Sequence, residues 1–169
     1  MKLRELKLKD VDGMLSWMHS KEAKEIFEKD FNKYTREDVE KFAKSKNTKN
    51  NINYACVNDK DEYLGTISLK NIDYDNLNAE YAVSFTKEAQ GTGAASFATQ
   101  EILKIAFNDL KLEKVYLCVL KTNNRAIAFY KKNNFKEEGT FRNHLKRGNK
   151  YIDLLWFSIL KKEFKTNEK

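Results

Sequence analysis

The chain of 169 residues has no proline, only six glycines, two cysteines and two histidines. Its turns must therefore be built mainly from Asn, Asp and Lys. Cys56 and Cys118 are too few for a disulfide framework, and both lie in apolar runs, which predicts two buried, reduced thiols. His19 and His144 have no ligand partner at metal-binding spacing, so we expect no metal site.

Long apolar runs are missing as well. No stretch approaches the roughly 20 residues that a membrane-spanning helix needs, and the first ten residues lack the apolar run of a secretory signal. We therefore expect a cytoplasmic protein with no membrane partner. At roughly 150 residues per domain, the length predicts a single domain over residues 1–169, and a hydrophobic content of 41% excludes a disordered chain.

The net charge is +7, and it is unevenly distributed. Residues 101–169 hold 16 basic against 8 acidic residues, whereas residues 51–100 hold 3 basic against 7 acidic. A basic balance suits an anionic ligand. The lysines are nevertheless scattered singly among acids, and no basic block is interleaved with aromatics. This pattern is typical of a solvated surface, and we expect no nucleic-acid partner.

Hydrophobic periodicity predicts the element order β-α-α-α-β-β-β-α-β-α-β-β, a mixed α/β fold. Residues 53–85 read as three antiparallel strands of a meander. Asp10 can cap the first helix, and Thr35 with Asp38 three residues later resembles a capping box. Residues 142–150 are polar and are predicted to form a crossing between the last two strands.

A glycine-containing turn follows the strand that ends near Phe85, and a helix follows the turn. The first turn of a helix leaves N–H groups unpaired and favours an anion, and Gly91 and Gly93 let the backbone approach that anion closely. A tight strand-to-helix turn without a ligand explains the same pattern. A P-loop needs Lys and then Ser or Thr after the last glycine, and Ala94 and Ala95 stand there instead. A dinucleotide-binding fold needs the turn after its first parallel strand and an acidic residue about 20 residues on, which also disagrees.

Three segments together form a more specific pattern: Gln90-x-x-Gly93-x-Ala95, residues 123–135 (NNRAIAFYKKNNF) and residues 138–153. They resemble the acyl-CoA pyrophosphate loop, the N-x-R-A-I-x-x-Y-x-K-x-G-F stretch and the tail of the GCN5-related N-acetyltransferases (GNAT), in particular of their RimJ/RimL-like branch. Asn134 replaces the usual Gly before the final Phe, and Asn is the next best residue for a left-handed helix end.

The resemblance implies an antiparallel meander plus a central β-α-β unit, with a V-shaped cleft where two strands splay apart. Acetyl-CoA would lie between the strand ending near Phe85 and the strand at residues 115–120. Backbone groups of Val83, Ser84 and Phe85 would pair with its pantetheine arm, and Asn123 would bond nearby or cap the following helix. Backbone N–H groups of the turn would hold the pyrophosphate, those of Gln90, Gly91, Thr92, Gly93, Ala94 and Ala95.

The resemblance also suggests catalytic residues. Spacing alone favours a core aromatic at Tyr130, but the resemblance reverses this preference, because Tyr130 lies where the family places its general acid. Glu80 is our candidate to accept the proton of the amine, with a solvated strand edge as the alternative explanation. His19, with Trp17 and Met18, could line the acceptor site, but the explanation we favour is a histidine stabilised at a helix C-terminus by the helix dipole.

We therefore expect an acetyl-CoA-dependent N-acetyltransferase that transfers the acetyl group directly to a primary amine. The basic last third favours an anionic acceptor such as a nucleotide-linked amino sugar, and the acidic middle favours a polyamine. These arguments nearly cancel, and a small-molecule amine is the interpretation we adopt. A protein N-terminus is an alternative acceptor, and a non-catalytic acyl-CoA-binding module is an alternative function. Homodimers are frequent in the family that the chain resembles.

Overall fold

A computed structural model describes residues 1–165, which form a seven-stranded mixed sheet with helices packed against it. The strands are β1 Lys2–Glu5, β2 Ile52–Val57, β3 Tyr63–Asp73, β4 Asn78–Phe85, β5 Lys114–Leu120, β6 Lys136–Arg147 and β7 Lys150–Leu160. The α-helices are α1 Val11–Met18, α2 Ala23–Ile26, α3 Arg36–Lys44, α4 Ala94–Lys104 and α5 Asn124–Lys132. No helix of residues 1–165 is long and apolar enough to cross a membrane.

The sheet confirms the predicted element order. Its strands lie in the order β1-β2-β3-β4-β5-β7-β6, and β2, β3 and β4 form the expected antiparallel meander. The capping box of α3 is also present. The Asp38 N–H donates to Thr35 Oγ1 at 3.2 Å, and the Thr35 N–H donates to the Asp38 carboxylate at 2.8 Å.

The predicted polar crossing at residues 142–150 is wrong. β6 continues to Arg147, and β7 begins at Lys150 after a turn in which Gly148 has φ +57°. β6 is the edge strand of the sheet, and almost all of its side chains are exposed. A strand that meets solvent on both faces needs no alternation of apolar and polar residues, so its sequence resembles that of a loop.

Asp10 has a different role from the predicted cap of α1. Its side chain makes no capping hydrogen bond to that helix and is 1% exposed. Its carboxylate accepts two hydrogen bonds from the Arg4 guanidinium, at 2.7 and 2.8 Å, and one from the Lys7 N–H at 2.8 Å. A buried bidentate ion pair therefore ties β1 to the start of α1.

Two hydrophobic clusters cover the sheet. The larger joins α4 and α5 to one face of the sheet, which we call the back face, through buried residues such as Ile67 and Leu69 of β3. Side chains alternate along a strand, so Thr66 points to the opposite face, which we call the front face. There its hydroxyl lies 2.7 Å from that of Tyr63, which packs against the smaller cluster of α1 and α3.

The parallel strands β4 and β5 pair over three residues and then separate. Asn78, Ala79 and Glu80 pair with residues 114–116. β4 then runs on to Phe85, and β5 runs on to Leu120, without further pairing between them. This separation confirms the predicted V-shaped cleft. Because α4 follows β4 and α5 follows β5, both helices begin at the open end of the V.

Candidate active site

The turn between β4 and α4 presents free backbone donors at the open end of the V. Gly91 and Gly93 have φ +79° and +87°, in the left-handed region that glycine adopts at no steric cost. Three of the six predicted N–H donors are bonded within the turn, those of Gln90, Thr92 and Ala94. The N–H groups of Gly91, Gly93 and Ala95 have no acceptor within residues 1–165. Such a set of donors before a helix suits an anion.

Arg125 adds positive charge to this turn. Its Nη1 donates to Gln90 Oε1 at 2.5 Å, which links the first turn of α5 to the turn before α4. Sequence reasoning did not single out Arg125 as a site residue. Its place in the segment of residues 123–135 was the only available signal, because the contact with Gln90 spans 35 residues.

The end of β4 has one free edge. Val83, Ser84 and Phe85 pair with β3 on one side. On the side of β5, the strands described within residues 1–165 leave this edge unpaired, because β4 and β5 have separated. An extended ligand can add to an unpaired strand edge through main-chain hydrogen bonds.

Both the oxygen and the nitrogen of the Asn123 side-chain amide form hydrogen bonds. Its Oδ1 accepts from the Ala126 N–H at 3.1 Å, which is the predicted N-cap of α5. Its Nδ2 donates to the carbonyl of Ile26 at 3.2 Å. Asn123 therefore connects the start of α5 to the end of α2 across 97 residues.

Tyr130 of α5 lies in the larger hydrophobic cluster on the back face. Its side chain is buried, and its ring lies 6.2 Å from that of Tyr81 and 5.9 Å from that of Phe135. Burial raises the pKa of the hydroxyl, and Cys118 and Glu28 add to the shift. The hydroxyl therefore stays protonated at neutral pH and can serve as a proton donor.

Glu80 lies on the front face in a row with Lys70 of β3 and Tyr116 of β5, its register partners. Lys70 Nζ donates to one carboxylate oxygen at 2.7 Å, and Asn71 Nδ2 donates to the other at 2.8 Å. The Glu80 side chain is 26% exposed, so it is partly covered as well as paired. Burial and the Glu80 charge raise the pKa of Tyr116.

The prediction of two buried thiols is confirmed for Cys56 and wrong for Cys118. Cys56 is buried, whereas Cys118 is only partly buried and its Sγ donates to Glu28 Oε1 at 2.8 Å. Burial raises the pKa of Cys118 to about 12, and the hydrogen bond to Glu28, the Glu28 charge and the Glu80 charge add to it. The thiol is therefore protonated and a weak nucleophile at neutral pH. Sequence reasoning missed Glu28, because its contact with Cys118 spans 90 residues.

Trp17, Met18 and His19, which we considered as possible lining of an acceptor site, connect α1 to other parts of the chain. Met18 is buried in the smaller cluster. The Trp17 ring lies 5.3 Å from that of Phe27. His19 is the C-cap of α1, and its Nε2 lies 3.0 Å from the carbonyl oxygen of Tyr34. This placement agrees with the alternative explanation of a histidine at a helix C-terminus.

Known proteins similar to this chain are acetyltransferases. The putative ribosomal N-acetyltransferase YdaF of Bacillus subtilis is 34% identical over 100 residues, which are 59% of this chain and 55% of that protein. The spermidine N(1)-acetyltransferase of Escherichia coli is 29% identical over 108 residues, which are 64% of this chain and 58% of that protein. The chain thus spans less than two thirds of the length of these relatives.

The fold has close counterparts among solved structures. The spermidine N-acetyltransferase of Vibrio cholerae, in complex with CoA and spermine, has a TM-score of 0.86, with 22% identity and 96% of each chain covered. A GNAT-family acetyltransferase of Bacillus anthracis has a TM-score of 0.81, with 21% identity and 95% of each chain covered. A family model described as an acetyltransferase (GNAT) domain matches residues 1–136. The chain therefore belongs to the GNAT acetyltransferase family.

Proposed function

We propose that this chain transfers an acetyl group from acetyl-CoA directly to a primary amine of a small cationic acceptor, with a polyamine as the first candidate. One observation carries the proposal. Glu80 of β4 and Cys118 of β5 both lie on the front face of the sheet, and the Cys118 Sγ donates to Glu28 Oε1 at 2.8 Å. Two carboxylates therefore lie on the front face where β4 and β5 separate, and Tyr130 lies on the back face of the same sheet.

The residues present fit acetyl-CoA, which supplies a thioester as the acetyl donor. The free edge of Val83, Ser84 and Phe85 would pair with the amides of the pantetheine arm. The free N–H groups before α4 and the Arg125 guanidinium would bind the pyrophosphate. Asn123 would bind near the pantetheine end by exchanging its bond to Ile26.

Gly93→Val should weaken acetyl-CoA binding by about tenfold or more, because a β-branched residue at positive φ is strained by roughly 1–3 kcal/mol. A Cβ at Gly93 meets nothing within 4 Å, so the effect comes from the backbone angle of +87° and not from a clash. Calorimetric titration with acetyl-CoA measures the change.

Gly139→Val is the matched control for this prediction. A Cβ at Gly139 also meets nothing within 4 Å, but its φ is not positive and it lies in β6. This variant should bind acetyl-CoA like the unmodified chain. Unchanged affinity in Gly93→Val would remove the turn from the proposed pyrophosphate site.

Two protons are transferred in the proposed reaction, one on each side of the V. As the amine nitrogen forms its bond to the acetyl carbon, the carbon–sulfur bond breaks, and the Tyr130 hydroxyl donates a proton to the sulfur. Glu80 accepts the proton that the amine releases, directly or through water. The Cys118 thiol keeps its proton at neutral pH, which supports direct transfer over an acetyl-cysteine intermediate.

The charge of the front face favours a cationic acceptor. Glu28 and Glu80 bring two negative charges, and Lys70 balances one of them through its ion pair with Glu80. The Glu28 carboxylate forms no ion pair within residues 1–165, so it attracts an ammonium group and disfavours the phosphates of a nucleotide-linked amino sugar. The similarity to spermidine N(1)-acetyltransferases supports the same choice. The similarity to YdaF makes a protein N-terminus the second candidate acceptor.

A competition experiment tests the acceptor. The purified chain is given acetyl-CoA and equal concentrations of spermidine, a nucleotide-linked amino sugar and a peptide with a free N-terminus, and the products are identified by mass. We expect acetylated spermidine as the main product. Acetylation of the sugar or of the peptide alone would contradict the acceptor. Binding of acetyl-CoA with no product from any amine would favour a non-catalytic acyl-CoA-binding module.

A further inference from the structure

A short segment at residues 24–28, which we call the α2 segment, is fastened by side chains from distant parts of the chain. The Arg147 guanidinium donates to the carbonyls of Lys24 and Phe27, and these contacts span 123 and 120 residues. Asn123 donates to the carbonyl of Ile26, and the Glu28 carboxylate accepts from Cys118. The segment therefore touches the end of β6, the start of α5 and the middle of β5.

The shortness of α2 explains why it needs such partners. The helix has four residues, and a helix of this length is not stable without tertiary contacts. The carbonyls of its last turn have no intrahelical donor and carry the negative end of the helix dipole. A guanidinium matches this need, because it is cationic and presents several N–H donors in a fixed plane.

Arg147 also differs from the rest of its strand. Within β6, whose other side chains are nearly all exposed, only Leu145 and Arg147 are partly covered. From the opposite side, Phe27 packs against Trp17 and Phe31, with ring centroids 5.3 and 5.1 Å apart. The backbone of Phe27 is thus held between α1 and the β6–β7 hairpin, immediately before Glu28.

We propose that Arg147 is a positioning residue for the acceptor amine. By holding the carbonyls of Lys24 and Phe27, it places the Glu28 carboxylate beside Cys118, where the carboxylate can exchange the thiol for an ammonium of the acceptor. This inference rests on the proposed function. The hydrogen bonds of Arg147 within residues 1–165 go to the α2 segment and not to Tyr130 or Glu80, so Arg147 would act through that segment.

Hydrogen–deuterium exchange tests whether Arg147 holds the segment, and it needs no activity. In Arg147→Met, the amides of residues 24–31 should exchange about tenfold faster, because the charge-assisted bonds to their backbone are lost. Lys146→Met is the matched control. It removes the same charge from the neighbouring position of β6, where the Lys146 ammonium lies 5.9 Å from the Tyr151 ring centroid. Equal exchange in the two variants would overturn the proposal.

Steady-state kinetics tests whether the placement of the Glu28 carboxylate by Arg147 contributes to binding of the acceptor amine. In Arg147→Met, the KM for spermidine should rise about tenfold, while the KM for acetyl-CoA and kcat stay within about threefold. Arg147→Lys should recover part of the loss, because one ammonium can still bond one carbonyl. An unchanged KM for spermidine, with the exchange accelerated, would overturn the role in acceptor binding.

A double-variant comparison separates positioning from a general weakening of the fold. If Arg147 acts through Glu28, then Glu28→Gln should raise the KM for spermidine by a similar factor, and adding Arg147→Met should raise it little further. If the KM of the double variant instead rose by the product of the two single-variant factors, the inference would be contradicted. If the unmodified chain acetylates no amine, the proposed function fails, and the exchange experiment still decides whether Arg147 holds the α2 segment.

Discussion

Tyr130→Phe should lower kcat for acetyl transfer by about 100-fold or more, the usual contribution of a positioned proton donor. The affinity for acetyl-CoA should change by less than about twofold, because the lost hydroxyl acts on the leaving sulfur and not on the bound ground state. The fold should tolerate the change. The Tyr130 ring packs against Tyr81, Phe135 and Phe157, and its hydroxyl bonds to no group within residues 1–165.

Tyr81→Phe provides the control for this result. Its ring lies beside that of Tyr130, and the substitution removes the same atom, but the Tyr81 hydroxyl is bonded to Thr99 Oγ1 at 2.8 Å inside the core. Tyr81→Phe should therefore cost about 1 kcal/mol of unfolding free energy and leave kcat nearly unchanged. Equal turnover in Tyr130→Phe and the unmodified chain would exclude Tyr130 as the general acid.

The raised pKa of Tyr130 also fixes a pH dependence. A group whose pKa is raised keeps its proton to higher pH, so Tyr130 should remain a competent donor beyond the ordinary tyrosine value of about 10. Deprotonation of Tyr130 should therefore cause no fall in the rate of acetyl transfer between neutral pH and about pH 10. Over this range, the pH profile of Tyr130→Phe should have the same shape as that of the unmodified chain. A basic limb near pH 8 that the substitution abolishes would contradict this assignment.

Asp10→Ala should lower the unfolding free energy by about 3 kcal/mol, because two nitrogens of the Arg4 guanidinium lose their buried partner and only the bond from Arg4 Nε to the partly exposed Asp61, at 2.6 Å, remains. The Arg4 and Asp10 side chains are 11% and 1% exposed, and the pair is bidentate. A domain has only about 5–15 kcal/mol of unfolding free energy, so the variant should be close to unfolding. Urea denaturation followed by circular dichroism measures the change.

Glu37→Ala is the comparison for Asp10→Ala. Glu37 pairs with Lys41 at 3.0 Å on the surface of α3, and both side chains are largely exposed. Its loss should cost less than about 1 kcal/mol. Similar losses in the two variants would show that the Arg4–Asp10 pair contributes no more than a surface pair.

Local patterns predicted the parts of the fold in which one element determines its own structure. The alternation of residues 53–85 predicted the meander, and the Thr35–Asp38 spacing predicted the start of α3. The prediction failed where the environment of an element decided the outcome. The second half of β6, residues 142–147, looked like a loop because it is an exposed edge, and Asp10 looked like a cap although Arg4 occupies its carboxylate.

The residues of the candidate site likewise fall into two groups, those that the sequence could identify and those that it could not. The glycine turn and Tyr130 could be singled out because each belongs to a contiguous motif whose spacing is visible in the sequence. Glu28, Cys118 and Arg147 could not, since their roles come from contacts between residues 90 or more positions apart. Nothing in the sequence around Glu28 indicates that the α2 segment crosses to β5.

The central claim is that the acetyl group passes directly from acetyl-CoA to the amine. A single-turnover experiment tests it, with the protein in excess over acetyl-CoA, spermidine present, and acid quenching followed by mass measurement of both the amine and the intact protein. We expect acetylated spermidine to form as acetyl-CoA is consumed, with no acetylated protein at any time. An acetylated protein that appears before the product and then decays, with the acetyl group on Cys118, would contradict it.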